Sequence, residues 1–329
     1  MKIAINGFGR VGRAVFRIAL EKKINIVAIN DIHGIEDAAY LLKYDSVYGN
    51  YKGKISIKGN NLIVDGKKIQ VIQETDPAKL PWGKLKVDIV VESTGAFKER
   101  GDLLKHIQSG AKRVLITRPL DDPDVTILPG VNNKDLKKSH KLVSSASCTT
   151  NAVAPIVKVI NEKLGIKKSL FTAIKGYTSS QNLLDGANKR DKRRGRSAAV
   201  NMVPTTTGAS KAVVKVLPEL KGKINGLSVR VPVPDGSLAD IVIELKKPAS
   251  VEEVNAILKE SAKKEMKGII EYSKEGLVSM DIIRNSHSAI VDSLMTYSKE
   301  SIIKILAWYD NEHGYSSRVV DLIKMMSKQ

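Results

Sequence analysis

The sequence predicts two domains, an α/β domain with a doubly wound parallel sheet and an α+β domain with a mixed or antiparallel sheet. Three observations predict this fold class. The chain has 329 residues, which is enough for two sizeable cores. Short apolar runs alternate with helical patterns in the first half, as in sheets whose strands are joined by helical crossovers. Longer strand-like stretches follow one another in the second half.

The first half begins with a strand over residues 3–6. Apolar residues then recur at helical spacing, which predicts an amphipathic helix with one buried face: Val11, Ala14, Val15, Ile18 and Ala19. Further short apolar runs predict strands over residues 24–29, 87–91, 114–116, 125–128 and 142–143. Runs this short and this apolar are typical of a parallel sheet that is covered on both faces.

The second half begins with a helical pattern over residues 151–164. Strand-like stretches follow over residues 169–174, 227–233, 239–245, 290–296 and 302–308. Ser250 and Glu253 have the spacing of a capping box, which predicts the start of a helix, and residues 317–328 form a final helical pattern. We place the domain boundary at Cys148, with residues 1–147 in the first domain and 148–311 in the second. We expect the helix within 312–329 to pack back on the first domain.

Composition restricts the class of protein. A hydrophobic content of 42% with charges of both signs indicates an ordered globular protein. The net charge of +19 favours anionic ligands such as nucleotides and sugar phosphates, and it leaves nucleic-acid binding as a rival function. No apolar run has the length of a membrane helix, so no membrane partner is expected. With one cysteine and no leader pattern, we expect a cytoplasmic location.

A glycine motif stands between the first strand and the first helix. Gly7, Gly9 and Gly12 form the pattern G-x-G-x-x-G, which lets a backbone turn tightly and approach a pyrophosphate at a helix N-terminus. Asp31 follows the second strand, where an acidic residue accepts hydrogen bonds from an adenosine ribose. Glycine clusters also serve as simple turns, but this context predicts a Rossmann domain. The carboxylate repels a 2′-phosphate, which favours NAD over NADP.

Cys148 is the only cysteine, and hydroxyl side chains flank it just before a helical stretch. A helix N-terminus and nearby cations stabilise a thiolate, which is typical of a catalytic nucleophile. The alternative is a buried packing cysteine. Hydroxyl and arginine residues further along the chain are suited to phosphate groups and favour the nucleophile. Together with the glycine motif, they indicate a thiol-dependent dehydrogenase that acts on a phosphorylated aldehyde. No metal is expected.

These motifs resemble those of the phosphorylating glyceraldehyde-3-phosphate dehydrogenases of the bacterial and eukaryotic type. The resemblance covers nearly the whole chain, and its most specific segments are Ser-Cys-Thr-Thr-Asn at residues 147–151 and Pro-Thr-Thr-Thr-Gly at 204–208. It implies NAD-dependent oxidation of glyceraldehyde 3-phosphate and its phosphorylation by inorganic phosphate, in glycolysis or gluconeogenesis. It also implies a homotetramer. Cys148 would form a hemithioacetal and then a thioester, which phosphate would convert to an acyl phosphate.

The resemblance assigns binding roles to individual residues. The phosphate of the substrate would be bound by Thr178 and Arg230, with Arg194 as a further phosphate-binding arginine. The residues that match the site of the attacking phosphate are Ser147, Thr149, Thr207 and Gly208. The residues that would contact the cofactor are Gly7, Gly9, Arg10, Val11, Gly12, Asp31, Thr94 and Thr117, with Asn311 holding the nicotinamide carboxamide.

The sequence departs from the family at the general base, because Lys175 stands where the family has a catalytic histidine. A lysine ammonium can stabilise the thiolate and hydrogen-bond an oxyanion, but it can accept a proton only after losing one. Three outcomes stay open: a working enzyme with lysine as the base, a slow enzyme, or a paralogue with altered chemistry. A separate alternative is that Lys175 points to solvent and the protein has lost activity. His313 replaces a usual tryptophan and is a candidate substitute base, but we favour a partly buried structural histidine.

Other departures affect the cofactor and the partners. Ala187 replaces a proline that is typical of NAD-specific members, so NADP use stays open. The basic run over residues 189–196 matches an interface loop of the family, and the rival interpretation is an RNA-binding patch. No aromatic residue interleaves with this run, so base stacking is not supported. The alternative substrate is another phosphorylated aldehyde such as erythrose 4-phosphate, and the alternative class is a catalytically weak nucleotide- or RNA-binding paralogue.

Overall fold

A computed structural model describes residues 1–189 and 191–329 of the chain. Two units make up the structure by their internal contacts. The first consists of Met1–Ile127, Asn133–Ala146 and Ser316–Gln329, and the second of Leu128–Asn132 and Ser147–Tyr315.

The first unit is built around a sheet that has nine strands within the described residues. These strands are β1 (Ile3–Asn6), β2 (Ile26–Asn30), β3 (Ile55–Lys58), β4 (Asn61–Val64), β5 (Lys67–Ile72), β6 (Ile89–Glu92), β7 (Arg113–Ile116), β8 (Val125–Thr126) and β9 (Leu142–Ser144). Its helices are α1 (Arg10–Glu21), α2 (Ile35–Lys43), α3 (Trp82–Leu85) and α4 (Arg100–Gln108).

Seven strands of this sheet, in the order β5-β2-β1-β6-β7-β9-β8, pair in parallel. Every residue of β1, β6 and β7 is buried, as expected for parallel strands that are covered on both faces. The reversal of chain order around β1 places the glycine loop at the carboxyl ends of the central strands, where ligands bind in doubly wound sheets.

The antiparallel strands β3, β4 and β5 at one edge of the sheet were not predicted. Asp65 and Gly66 form the turn between β4 and β5, with φ angles of 49° and 78°. An Asp-Gly pair is a frequent hairpin turn because both central residues need positive φ. This pair was the available signal in the sequence, whereas the polar residues of β3 and β5 obscured the apolar pattern.

The second unit contains a seven-stranded sheet within the described part of the chain, in the order β11-β12-β10-β13-β16-β15-β14. These strands are β10 (Ile166–Gly176), β11 (Val203–Thr206), β12 (Ile224–Val231), β13 (Ser237–Leu245), β14 (Ile270–Ser273), β15 (Ala289–Lys299) and β16 (Ile302–Tyr309). Its helices are α5 (Cys148–Lys163), α6 (Ala209–Val216) and α7 (Val251–Lys263).

This second sheet is mixed, since β10 pairs in parallel with β12 and antiparallel with β13. Helix α5 packs against β10, β13, β15 and β16, and it is buried along most of its length. Ser250 caps α7 by accepting a hydrogen bond from the Glu253 backbone N–H at 3.2 Å, so the capping-box prediction is confirmed. The last helix, α8 (His313–Ser327), begins four residues earlier than predicted.

Candidate active site

The glycine loop follows β1 and lines a cavity of about 470 Å³ in the first unit. Gly7 has φ 89°, and a Cβ atom there would lie 2.6 Å from the backbone nitrogen of Thr94. A Cβ atom on Gly12 would lie 2.1 Å from the Gly7 carbonyl oxygen, so a glycine is required for α1 to pack on the loop. A Cβ atom on Gly9 would meet no atom within 4 Å. The N-terminus of α1 is therefore open to a phosphate group.

Asp31 also lines this cavity, and two backbone N–H groups hold its carboxylate. The Phe8 nitrogen donates to Oδ2 at 2.6 Å, and the His33 nitrogen donates to Oδ1 at 3.0 Å. Each carboxylate oxygen keeps a further lone pair that can accept a ribose hydroxyl. The cavity therefore fits the adenosine and pyrophosphate parts of a dinucleotide.

The other residues assigned to the cofactor have different surroundings. Thr94 lines the cavity, whereas Arg10, Val11, Gly12 and Thr117 are not among its described lining residues. The Arg10 guanidinium instead lies 2.8 Å from the Asp45 carboxylate. The Thr117 hydroxyl donates to the backbone oxygen of Glu92 at 3.0 Å, at the carboxyl end of β6. The Arg10 and Thr117 side chains therefore contact other groups of the protein.

The sequence did not reveal a buried polar network behind the cavity. Glu92 accepts hydrogen bonds from Asn6 Nδ2 at 2.5 Å and from the Thr94 backbone nitrogen at 2.8 Å. Trp82 Nε1 donates to His106 Nδ1 at 3.0 Å, so a neutral His106 carries its proton on Nε2, which lies 3.1 Å from Glu92. The residues of this polar network lie far apart in the chain, so no spacing in the sequence indicates the network.

Cys148 is the first residue of α5, and Ser147 is the N-cap of this helix. The Ser147 hydroxyl accepts a hydrogen bond from the Thr150 backbone N–H at 3.1 Å, which satisfies one free donor of the first turn. The partial positive charge of a helix N-terminus favours an anion such as a thiolate. Cys148 is partly exposed, which does not fit the alternative of a fully buried packing cysteine.

Lys175 lies near the end of β10, and its Nζ atom donates a hydrogen bond to Cys148 Sγ at 2.8 Å. Lys175 therefore does not point to solvent, which was one of the alternatives. It is also the register partner of Arg230 on the adjacent parallel strand β12. Two neighbouring strands thus present two cations close to the thiol, and a positive environment stabilises a thiolate.

Arg230 shares this electrostatic environment with Arg194. Burial lowers the pKa of Arg230 from its ordinary value, the negative charge of Cys148 opposes this shift, and the charge of Arg194 adds to it. Arg230 donates to the Gly176 carbonyl oxygen at 3.3 Å, and Arg194 Nε donates to the Thr205 hydroxyl at 3.0 Å. Guanidinium groups that share one environment with a nucleophile are suited to tetrahedral oxyanions.

The hydroxyl residues assigned to phosphate have partners within the second unit. The Thr178 hydroxyl lies 2.9 Å from the Ser180 hydroxyl. Thr207 accepts a hydrogen bond from the Ala209 backbone N–H at 3.2 Å. Gly208 is the N-cap of α6, and a Cβ atom there would meet no atom within 4 Å. The start of α6 therefore has the space and the backbone polarity to accept an anion.

Asn311 belongs to a second polar network that the sequence did not reveal. Ser237 Oγ donates to Asn311 Oδ1 at 2.5 Å, which orients the amide, and the Gly176 backbone N–H donates to Ser237 Oγ at 3.4 Å. The Tyr309 hydroxyl lies 3.1 Å from the Thr149 hydroxyl. Burial raises the pKa of Tyr309, and the negative charge of Cys148 adds to this shift. Ser237 and Tyr309 lie just outside the predicted strands over residues 239–245 and 302–308, and no motif marked either of them for a polar role.

Other features bear on the expected partners. Within residues 1–189 and 191–329, no three His, Cys, Asp or Glu side chains are grouped as a metal site. In the same ranges, no helix has both the length and the apolar character to cross a bilayer. The basic run includes Arg190, which lies outside the described residues. Arg196 forms an ion pair with Asp185 at 3.0 Å.

Known protein families match both halves of the chain. Residues 1–100 match the glyceraldehyde 3-phosphate dehydrogenase NAD binding domain, and residues 147–311 match the glyceraldehyde 3-phosphate dehydrogenase C-terminal domain. The chain is 52% identical to glyceraldehyde-3-phosphate dehydrogenase 1 of Bacillus subtilis (strain 168), over 100% of this chain and 99% of that protein.

Two further relatives show the same level of similarity. The chain is 51% identical to glyceraldehyde-3-phosphate dehydrogenase of Geobacillus stearothermophilus, over 98% of this chain and 97% of that protein. It is 50% identical to glyceraldehyde-3-phosphate dehydrogenase of Borreliella burgdorferi, over the full length of both. With both domain types matched and relatives this similar, the chain is an NAD-binding oxidoreductase and belongs to the glyceraldehyde-3-phosphate dehydrogenase family.

Proposed function

We propose that this chain oxidises glyceraldehyde 3-phosphate with NAD and phosphorylates it to 1,3-bisphosphoglycerate. The contact between Cys148 Sγ and Lys175 Nζ at 2.8 Å is the main support, because it pairs a nucleophile with the charge that ionises it. Residues 1–147 and 312–329 are then the NAD-binding domain, and residues 148–311 are the catalytic domain. Because the reaction needs a reduced thiol, it suits the cytoplasm.

The proposed reaction begins at the thiol. The Cys148 thiolate attacks the aldehyde carbon and forms a hemithioacetal, while the Lys175 ammonium hydrogen-bonds the developing oxyanion. The cavity that includes Asp31 would hold NAD, which would supply the hydride acceptor for the oxidation. A thioester on Cys148 results. Inorganic phosphate then attacks the thioester carbon, which releases the acyl phosphate and restores the thiolate.

The cations near Cys148 support the assignment of two phosphate-binding sites. Arg230 and Thr178 are proposed to bind the phosphate of the substrate, with Arg194 close enough to influence the charge of Arg230. The attacking phosphate is assigned to the ends of α5 and α6, at Ser147, Thr149, Thr207 and Gly208. Helix N-termini and guanidinium groups both favour anions.

Lys175 limits the proton transfer in this scheme. The hemithioacetal oxyanion takes a proton from water to become a hydroxyl, this hydroxyl must lose its proton as the hydride leaves, and a lysine that is still protonated cannot accept it. Activity should therefore rise as the pH increases above neutral, because only an unprotonated base can accept this proton. We expect this rise in activity to distinguish this chain from an enzyme that uses a histidine base.

A homotetramer is part of the proposal. Leu170 on β10 and Val242 on β13 are register partners, and their side chains are 64% and 38% exposed. Leu227 on β12 is 47% exposed. Exposed apolar residues grouped on one sheet face mark an association surface. We assign this surface to a second copy of the chain. Light scattering should give a tetramer for the parent protein and a smaller species for Leu170→Glu; a parent monomer would contradict the assignment.

The test of the function is an assay of NAD reduction with purified protein. Glyceraldehyde 3-phosphate should support sustained turnover with inorganic phosphate. Turnover should be much slower without phosphate, because the thioester is then released only by hydrolysis. Erythrose 4-phosphate in parallel separates the two substrates. If neither aldehyde reduces NAD at any pH between neutral and mildly alkaline, the proposed activity is wrong.

A further inference from the structure

We propose that Cys148 and Lys175 form a covalent sulfenamide bond between Sγ and Nζ when a peroxide oxidises the thiol. This bond would be a reversible modification of the site, and it goes beyond the proposed dehydrogenase activity. Its formation does not depend on NAD or on an aldehyde. A measurement of the bond is therefore independent of a measurement of turnover.

The geometry brings the two reacting atoms together. Lys175 Nζ and Cys148 Sγ are 2.8 Å apart, although the residues lie 27 positions apart on β10 and α5. Reacting atoms held at such a separation by a folded scaffold react far faster than the same groups in solution. Cys148 is partly exposed, so a small peroxide can reach the sulfur.

The sequence removes the usual alternative reaction. An oxidised cysteine commonly condenses with a second thiol to form a disulfide, but this chain contains one cysteine. A sulfenic acid at Cys148 therefore has no thiol partner within the chain. The Lys175 amine is the nitrogen nucleophile in contact with it, and sulfenic acids are known to condense with nitrogen to form sulfenamides.

The reaction balances in three steps. The Cys148 thiolate attacks one oxygen of hydrogen peroxide, the O–O bond breaks, and a sulfenic acid and hydroxide form. Hydroxide takes a proton from the Lys175 ammonium and becomes water. The neutral amine then attacks Sγ, the S–O bond breaks, and the leaving hydroxyl takes a proton from nitrogen to form a second water. Overall, sulfur is oxidised by two electrons and the peroxide is reduced by two.

The charges around the thiol favour this course. The thiolate that attacks the peroxide lies near Arg230 and in contact with Lys175, which stabilise the anion. Once the sulfur is a neutral sulfenic acid, the ammonium no longer has an anionic partner, whereas the like charge of Arg230 on the adjacent strand remains. Both changes favour loss of the Lys175 proton. An external thiol would break the S–N bond and restore both side chains.

The experiment exposes the full-length protein to a small excess of hydrogen peroxide, at least two equivalents per thiol, and measures the intact mass and the tryptic peptides. The parent chain should lose two hydrogens, about 2 Da, and give a cross-linked peptide pair that contains Cys148 and Lys175. Dithiothreitol should reverse both changes. Lys175→Met should show no loss of 2 Da and should instead gain two oxygens, about 32 Da, as a sulfinic acid, which the parent should not accumulate.

Two variants serve as controls. Lys168→Met removes an exposed lysine of the same strand and should form the cross-link as the parent does. Lys175→Arg keeps a cation beside the thiol and should form no cross-link, which covers the case that Lys175→Met is unstable. Lys175→Arg should reach the sulfinic acid roughly tenfold faster than the parent, and the proposal is overturned if the parent proceeds as fast as this variant. A gain of about 14 Da would indicate an oxygen retained between nitrogen and sulfur, and it would also overturn the direct S–N bond.

Discussion

Individual side chains determine whether this site can carry out nucleophilic catalysis, and Cys148 is the proposed nucleophile. Ser147 caps α5 and places Cys148 at the positive end of the helix, and Lys175 contacts its sulfur at 2.8 Å. The replacement of an imidazole by an ammonium keeps the positive charge and removes a proton acceptor that works at neutral pH. The residue-scale predictions separate these two consequences.

Cys148→Ser should abolish NAD reduction and leave NAD binding intact. A serine hydroxyl is a far weaker nucleophile without a strong base, so turnover should fall on the order of 10⁴-fold or more. Steady-state kinetics and calorimetric titration with NAD measure the two effects. Substantial turnover by this variant would show that Cys148 is not the nucleophile.

Lys175→Met should slow alkylation of Cys148 by iodoacetamide near neutral pH by about tenfold, because the thiolate loses its contacting cation. Lys175→His should raise activity near neutral pH on the order of 10²-fold, because an imidazole accepts protons there. Lys168→Met is the matched control and should change neither quantity. If His brings no gain, a different base must act, and His313 is the next residue to replace.

Asp31→Ala should reduce the preference for NAD over NADP. The variant loses an acceptor for the ribose hydroxyls and also the repulsion of a 2′-phosphate, so the ratio of kcat/KM values should fall by about tenfold or more. Asp31 also accepts hydrogen bonds from Phe8 and His33, so a thermal melt must accompany the kinetics. A parent protein that prefers NADP would contradict the role of the carboxylate.

At the scale of elements, the ends of helices and strands position the chemistry. Lys175 lies near the carboxyl end of β10, Arg230 lies beside it on β12, and Cys148 begins α5. Helical and strand-like sequence patterns predict these elements because such patterns are local. The register between β10 and β12 is not local, since their residues are separated by more than 50 positions, and only folding brings the two cations together.

The cap of α7 provides a test at this scale, well separated in sequence from the proposed catalytic residues. Ser250→Ala removes the hydroxyl that accepts from the Glu253 N–H, so the free energy of unfolding should fall by about 1 kcal/mol. Ser250→Asp keeps an acceptor and should restore most of it. Urea denaturation measures both variants. An equal loss in the two variants would mean that the hydroxyl does not act as the cap.

At the scale of the whole molecule, electrostatics govern both ligand attraction and the response to pH. The net charge of +19 favours nucleotides and phosphorylated substrates through long-range attraction. Several carboxylates of the first unit accept hydrogen bonds from basic side chains and backbone N–H groups, which lower their pKa values. Burial would raise the pKa of Asp124, but hydrogen bonds from the Leu142 backbone and from Arg100 outweigh it and lower this pKa. Asp45 and Asp88 also have lowered pKa values.

Acid should therefore destabilise the protein in a defined direction. Because the pKa of Asp124 in the folded protein lies below its ordinary value of 3.8, the unfolded chain takes up a proton first as the pH falls. The stabilisation is fully present above that value and is lost as the pH falls through the folded pKa. Urea midpoints at neutral pH and near pH 3 measure the loss.

Asp124→Asn should be less stable than the parent at neutral pH, and its stability should fall less between the two pH values. Asp122→Asn, at a side chain that is 79% exposed, should behave as the parent does. If Asp124→Asn loses as much stability in acid as the parent, the carboxyls responsible lie elsewhere in the chain.

The sequence by itself determined the fold class, the NAD-binding loop and the family, because each depends on local patterns that survive without a structure. Apolar periodicity predicts strands and helices. The spacing of Gly7, Gly9 and Gly12 is typical of the tight turn between a strand and a helix. The edge hairpins were missed because polar residues of β3 and β5 weaken the apolar alternation. The roles assigned to individual site residues stay predictions.

The tertiary structure decided which side chains are in contact with one another. It brings Lys175 to 2.8 Å from Cys148, directs Arg10 to Asp45, and joins Trp82, His106 and Glu92 in a buried network. None of these contacts follows from spacing, since hydrogen bonds between distant elements depend on strand order, register and side-chain direction. These are properties of the packed chain, which is why a lysine at position 175 could be noticed in the sequence but its contact could be seen only in the fold.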